Sequence, residues 1–238
     1  YQDTYFQKRT DRGYDNYFSP ALRQEIRRVF ALNLADLGFF DWEMELFDSK
    51  LRRRSLDIGC AAGYFVEFLQ ELSWQAWGVD ISRSALSAGL ARHLSLLEGD
   101  FLTLPELEKG SFDLVSMWAT IEHLESPAGA LKRIHDLLAP GGRALLSTCR
   151  RGLLSALYGP RWRYVNVPEH LYYFTVRGIE DVARSAGLRL VRQISYGSGM
   201  TTKKGASLAY RLTKKITDPL VKKLNQGDMM ALFFERLD

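Results

Sequence analysis

The stretch Leu56-Asp57-Ile58-Gly59-Cys60-Ala61-Ala62-Gly63-Tyr64-Phe65 reads as a buried strand that runs through a turn of small residues into a helix. Small residues let a ligand approach the main chain closely, and the first amides of the following helix point at whatever sits there. In an open parallel sheet, ligands bind beyond the C-terminal strand ends where the strand order reverses, which is the place of this first turn. Taken alone, the pattern fits a tight strand-to-helix connection equally well.

Two further strand ends add weight. Asp80 closes Trp77-Gly78-Val79-Asp80, 17 residues after Gly63 and directly before Ile81, where a mononucleotide-binding unit places a carboxylate on ribose hydroxyls. Asp100-Phe101 follows Leu97-Glu98-Gly99 and offers a carboxylate for an exocyclic amine and an aromatic face for a purine ring. Three acidic strand ends in chain order form a constellation.

Outward from these ends, strands and helices alternate. Strands are expected at 55–59, 76–81, 94–97, 112–118, 143–148 and 188–195, with helices at 64–72, 83–93, 128–138 and 176–186 between them. Such alternation implies right-handed crossovers and a parallel sheet covered on both faces. Upstream, Leu22, Ile26, Val29, Phe30, Leu34 and Leu37 recur at helical spacing between Pro20 and Gly38. A last apolar run, Met229 to Phe234, reads as a final strand.

Composition narrows the class. The 238 residues, 46% hydrophobic and 25% charged, suit a single globular core rather than a disordered or repetitive chain. A formal charge of +4 is too slight to demand a nucleic-acid partner. Cys60 and Cys149 have no paired spacing, so no disulfide framework and no metal site is expected. With no apolar run of membrane-spanning or signal-peptide length, the expectation is a soluble, cytoplasmic protein.

With these motifs in place, the chain from about Leu56 to Leu237 resembles the class I S-adenosylmethionine-dependent methyltransferases. The resemblance is to the small-molecule enzymes of type 11 and type 23, and it extends over Ser111-Phe112-Asp113-Leu114-Val115, Ile121-Glu122-His123-Leu124 and Ala139-Pro140-Gly141-Gly142-Arg143. It implies a Rossmann-like, doubly wound α/β sheet of seven strands, parallel except for an antiparallel last strand, with helices on both faces. It also implies S-adenosylmethionine as cofactor, with S-adenosylhomocysteine as product. The glycine-rich signature maps onto Asp57, Gly59, Cys60, Ala61 and Gly63, with Ala61 in place of the usual middle glycine. The ribose acid maps onto Asp80 with Ile81, and the adenine side onto Asp100 and Phe101. Met117 and Trp118 end the fourth strand at the cofactor edge. A dinucleotide oxidoreductase reading needs a second glycine pattern, and Pro140-Gly141-Gly142 followed by a strand is better matched by the methyltransferase.

The reaction expected is methyl transfer to an O or N atom of a small-molecule acceptor such as a sugar, a quinone or a secondary-metabolite intermediate. The alternatives are an RNA methyltransferase, or a cofactor-binding scaffold without turnover. Nucleic acid is the weaker partner, because Met117-Trp118-Ala119-Thr120 stands where amino-methylating nucleic-acid enzymes of this superfamily carry Asn/Asp-Pro-Pro-aromatic. A hydroxyl acceptor benefits from a base, and an imidazole titrates near neutral pH. His170 is the favoured catalytic candidate and His123 the second. Trp162, Tyr164, Tyr172 and Tyr173 surround His170 in sequence and would line an acceptor pocket.

Residues 1–50 are expected to form an aromatic lid and helical cap, with Tyr14 and Tyr17 over the acceptor, on a methyltransferase domain of residues 51–238. A basic insertion at about 199–227 sets Leu208, Leu212, Ile216, Leu220 and Leu224 four apart among lysines and arginines, with an interruption near Asp218-Pro219. Through 203–223 it is a candidate for contact with an anionic membrane surface.

Overall fold

The computed structural model describes residues 19–49, 53–199 and 207–238. In chain order the elements are α1 (Pro20–Leu37), α2 (Phe39–Ser49), β1 (Arg54–Ile58), α3 (Tyr64–Glu71), β2 (Gln75–Asp80), α4 (Arg83–Leu90), β3 (Leu96–Glu98), β4 (Phe112–Trp118), α5 (Pro127–Leu137), β5 (Leu138–Cys149), α6 (Leu153–Tyr158), α7 (Val176–Ser185), β6 (Leu188–Tyr196), α8 (Leu208–Lys223) and β7 (Met229–Arg236). The seven strands form one sheet in the order β3-β2-β1-β4-β5-β7-β6. The pairings of β7 with β5 and β6 are antiparallel and the rest are parallel. This is the expected doubly wound arrangement, and its strand order reverses between β1 and β4.

Alternation along the strands builds a core on each face. Leu56, Ile58, Val115, Met117, Ala144, Leu146, Leu232 and Phe234 pack with α5 and α7. Leu114, Leu145, Ala231 and Phe233 face the other way, toward α1, α2 and α3. A residue period of two thus sends successive side chains into different cores, which helices on both faces require.

Helix α1 starts where Ser19 accepts from the Leu22 amide ahead of Pro20, and stops at Gly38 in the left-handed conformation. The chain stays in the helical layer past Gly38. Phe39, Trp42 and Leu46 continue at helical spacing as α2, and Phe39 and Trp42 pack on Phe233 with ring centroids 6.3 and 5.5 Å from it. Helix α8 is also unbroken: Pro219 lies inside it. Pro219 is solvent-exposed, so the carbonyl it leaves without a donor can be hydrated. The lid residues Tyr14 and Tyr17 and the lysines at 203 and 204 lie outside the described residues. No helix among the described residues is long and apolar enough to cross a membrane.

One buried polar knot ties α2 to the sheet. Arg53 Nη1 donates to Glu43 Oε1 at 2.9 Å and its Nη2 to the Leu72 carbonyl at 2.9 Å, while Trp74 Nε1 donates to the same Glu43 oxygen. Removing one partner from a buried pair strands the other charge. Glu43→Ala is therefore expected to cost about 3–5 kcal/mol in urea unfolding, and Glu43→Gln, which keeps an acceptor for Trp74, distinctly less. Equal stability of Glu43→Ala and wild type would refute this role.

Candidate active site

The tips of β1, β2 and β3 converge on one side of the reversal point. Beyond β1 the amides of Gly59 and Cys60 both donate to the Val79 carbonyl, at 2.8 and 3.2 Å. Gly59 has φ 69°, and a Cβ there would stand 2.7 Å from Thr120 Cγ2 at the tip of β4, so glycine is required twice over. Ala61 takes φ 45°, uncommon for alanine. Its amide donates to Asp80 Oδ2 at 2.9 Å, and the Ser82 amide donates to Asp80 Oδ1 at 2.9 Å. Asp80 thereby fixes the first turn and the start of α4 while its remaining lone pairs stay available. Gly63, φ 72°, opens α3 with no side chain capping it.

Asp57 lies opposite Ser116 in the β1–β4 register. It is buried and accepts the Ser116 hydroxyl at 2.7 Å. Burial pushes its carboxyl up to about 7, with the Ser116 bond opposing and the nearby Asp80 reinforcing the rise. A cationic group arriving at this turn would restore the ionised form.

Other expected contacts are placed differently. Asp100 is exposed and its Oδ1 accepts the Leu102 amide at 2.9 Å. Phe101 is buried in the core beside Val79 and Leu107 rather than presenting its ring at the surface. The exposed apolar side chains beyond β2 and β3 are Ile81 and Leu102, and Leu102 was not singled out by sequence. Met117 is wholly buried and Cys60 fills the space that Gly78 leaves, so neither side chain is open to a ligand. Trp118 packs between Phe30 and Phe65, at 4.8 and 5.2 Å between centroids, with its buried Nε1 unpartnered. Taken together, carboxylates at Asp57, Asp80 and Asp100, close-approach backbone at Gly59–Gly63 and an exposed apolar edge suit a molecule with an ammonium group, a ribose and a purine.

The residues expected on the acceptor side lie on a 3₁₀ turn after β4 and a loop after α6. The Glu122 carbonyl accepts the amides of Leu171, at 2.8 Å, and Tyr172, at 3.2 Å. The Phe174 carbonyl accepts the Arg151 amide at 2.7 Å. This seam lays residues 166–174 across the ends of β4 and β5. Glu122 itself is 2% exposed and its Oε2 has no hydrogen-bond partner. Burial pushes it up to about 7, partly offset by hydrogen bonds at the carboxylate and from Thr148 and the Cys149 backbone.

His123 and His170 meet edge to face, 4.8 Å between ring centroids. Glu169 O lies 2.8 Å from His123 Nδ1. A carbonyl only accepts, so Nδ1 carries the proton and Nε2 of the neutral ring is an acceptor. Cys149 Sγ lies 3.8 Å from His170 Nδ1. Burial pushes the Cys149 thiol up to about 12, so it stays protonated. With the thiol as donor to Nδ1, the His170 proton would sit on Nε2. The two rings would then hold opposite tautomers. Donor atoms of Glu122, His123 and His170 also lie within 4.8 Å of one another, a grouping of ligand types that the sequence reading did not foresee.

Trp162 packs against Tyr164 at 5.4 Å and Tyr173 at 5.7 Å, and Tyr173 lies 5.9 Å from His170. Of the four expected aromatics, Tyr173 adjoins His170 directly, and Trp162 and Tyr164 extend the cluster behind it. Tyr172 does not join them: it stacks on Phe174 and its hydroxyl donates to the Glu125 carbonyl at 3.0 Å. Sequence also missed Asp228, whose carbonyl accepts the amide of Arg150, just past β5, at 2.8 Å. It is buried with both carboxylate oxygens unpartnered and pushed up to about 6 by burial, against the pull of Arg163.

Comparison with known proteins agrees with this geometry. A family profile described as a methyltransferase domain matches residues 21–193. The chain is 33% identical to a ubiquinone biosynthesis O-methyltransferase of Burkholderia vietnamiensis over 168 residues, 67% of this chain and 68% of the relative. A SAM-dependent methyltransferase from Archaeoglobus fulgidus superposes with TM-score 0.62 at 17% identity, covering 90% of this chain and 94% of that one. Magnesium protoporphyrin IX methyltransferase from Synechocystis, solved with SAH bound, gives TM-score 0.56 at 16% identity over 90% of this chain and 83% of that one. The chain belongs to the methyltransferase-domain family and is an S-adenosylmethionine-dependent methyltransferase.

Proposed function

We propose that the enzyme methylates a hydroxyl on the ring of a small, quinone-like aromatic acceptor, with His123 as the base and the β1–β3 tips holding the cofactor. The observation that carries this reading is the Glu169 carbonyl at His123 Nδ1, which on a neutral ring leaves Nε2 as the proton acceptor. The name of the Burkholderia relative supports an O-linked methyl group and a quinone-like ring.

Bound at the strand tips, the cofactor supplies a methyl group on a cationic sulfur. Asp80 would accept the ribose hydroxyls and Asp57 would face the ammonium group, its burial making a cation welcome there. Asp100, with Ile81 and Leu102, would take the purine. Displacement at a methyl group needs alignment above all. Trp162, Tyr164 and Tyr173 would supply it by gripping the faces of a flat acceptor. His123 Nε2 would take the hydroxyl proton as the oxygen becomes the nucleophile, and the Glu169 carbonyl would steady the resulting imidazolium through Nδ1–H. His170, its Nε2 carrying a proton, would serve as a donor that orients the acceptor oxygen rather than as the base. That reverses the order in which the sequence ranked the two.

Two experiments test these assignments. In calorimetric titration with S-adenosylhomocysteine, Asp80→Ala is expected to weaken binding at least tenfold, since hydrogen bonds to a charged group are worth roughly 1.5–3 kcal/mol each. Unchanged affinity would remove Asp80 from the ribose site. In an assay with hydroxylated aromatic acceptors, His123→Gln is expected to lower kcat by roughly 100-fold or more and to erase the acid limb of the pH profile. His170→Gln should keep that limb and chiefly raise KM. A chelator should leave turnover unchanged. A retained limb in His123→Gln would overturn the base assignment, and loss of turnover on chelation would reassign Glu122, His123 and His170 to a cation.

A further inference from the structure

Helix α8 wears its amphipathic pattern inside out. A surface helix normally buries its apolar stripe and shows water its polar side. Here Leu208, Leu212, Ile216, Leu220 and Leu224, four apart along one side, are all between 51% and 71% exposed. The half-buried positions are instead Tyr210, Lys214, Thr217, Asp218 and Val221. The inward side is satisfied by polar bonds. Lys214 Nζ lies 2.6 Å from Asp218 Oδ2, and the Ser198 hydroxyl donates to Asp218 Oδ1. At the far end Lys222 pairs with Asp36 of α1, and Arg150 Nη1 donates to the Asn225 carbonyl at 2.6 Å. The helix is therefore seated on the protein by its polar side, with the apolar stripe left over.

The charge around the stripe is of one sign. The helix carries five basic residues, Arg211, Lys214, Lys215, Lys222 and Lys223, and one acid, Asp218, which is half-buried and already paired. At 100° per residue Arg211 and Lys215 run along one border of the stripe and Lys223 lies within it. These three form no ion pair among the described residues, and all three are exposed. Two copies joined through such a face would bring these cations together with no acid between them, which argues against self-association. An anionic bilayer surface answers both features at once, taking the aliphatic side chains among the acyl chains and the cations against the headgroups.

We propose that α8 docks the enzyme on an anionic lipid surface, with its axis in the plane of the interface. The apolar stripe inserts, and Arg211, Lys215 and Lys223 bind headgroup phosphates. This contact is separate from the acceptor assignment, since none of these side chains belongs to the site described above.

The test is co-sedimentation of the intact chain with vesicles of phosphatidylcholine alone or mixed with phosphatidylglycerol. Partition onto the mixed vesicles is expected, with little onto the neutral ones, and it should weaken as salt rises. Leu212→Asp combined with Ile216→Asp should lower it about tenfold or more. Arg211→Gln combined with Lys215→Gln should lower it several-fold and flatten the salt dependence. Calorimetric binding of S-adenosylhomocysteine, unchanged in every variant, confirms folding. Equal partition of the Asp variant and wild type, or no partition of wild type onto anionic vesicles, would overturn the proposal. A wild-type dimer seen by light scattering that Leu212→Asp dissolves would give the stripe to a second copy instead.

Discussion

The tips of β1 and β4 lie so close that Gly59 has no room for a side chain beside Thr120. That contact sits where the sheet's strand order reverses, and the connections leaving it diverge. One passes through Gly63 into α3 and on to the carboxylates of Asp80 and Asp100. The other turns through Ala119, at φ 48°, into the 3₁₀ turn that carries Glu122 and His123. A ligand lodged in the crevice between them would touch both halves. The close backbone approach at Gly59 thus sets the proposed cofactor and acceptor sites side by side.

Each half then settles its own electrostatics by burial. On the cofactor side, Asp57 is buried where only a cation or the Ser116 hydroxyl can compensate it. On the acceptor side, Glu122 is buried with one oxygen unpartnered, while its main-chain carbonyl receives two amides of the loop that carries His170. The loop returns the favour through Glu169, whose carbonyl fixes the proton on His123. A backbone carbonyl at His123 and a side-chain thiol at His170 thus meet the two rings at Nδ1.

Much of this was legible in the sequence, and the reasons differ by element. The strands announced themselves because their residues alternate between two cores or run continuously apolar, and the tips because small residues and acids punctuate them. Phe39–Ser49 was not seen as a helix because Gly38 carries a strong stop signal, although Phe39, Trp42 and Leu46 keep the helical period. Pro219 was read as a break because its sequence neighbours do not reveal that it faces solvent. The aromatic cluster around His170 was visible as local density, but Tyr172 and Tyr173, adjacent in an extended loop, point to different partners. The contacts that distinguish His123 from His170 are non-local. The carbonyl that fixes His123 belongs to a residue 46 positions away, and the thiol beside His170 comes from β5. Asp228 carried no motif, since its unusual feature is burial without a partner.

The account turns on the proton positions of the two facing imidazoles. Nitrogen-15 chemical shifts of the ring nitrogens, recorded above the imidazole pKa and assigned with His123→Gln and His170→Gln, report them directly. The structure predicts a protonated Nδ1 and bare Nε2 for His123, with the reverse for His170. A His123 ring protonated at Nε2 would remove its capacity to take the acceptor proton there and contradict the central claim.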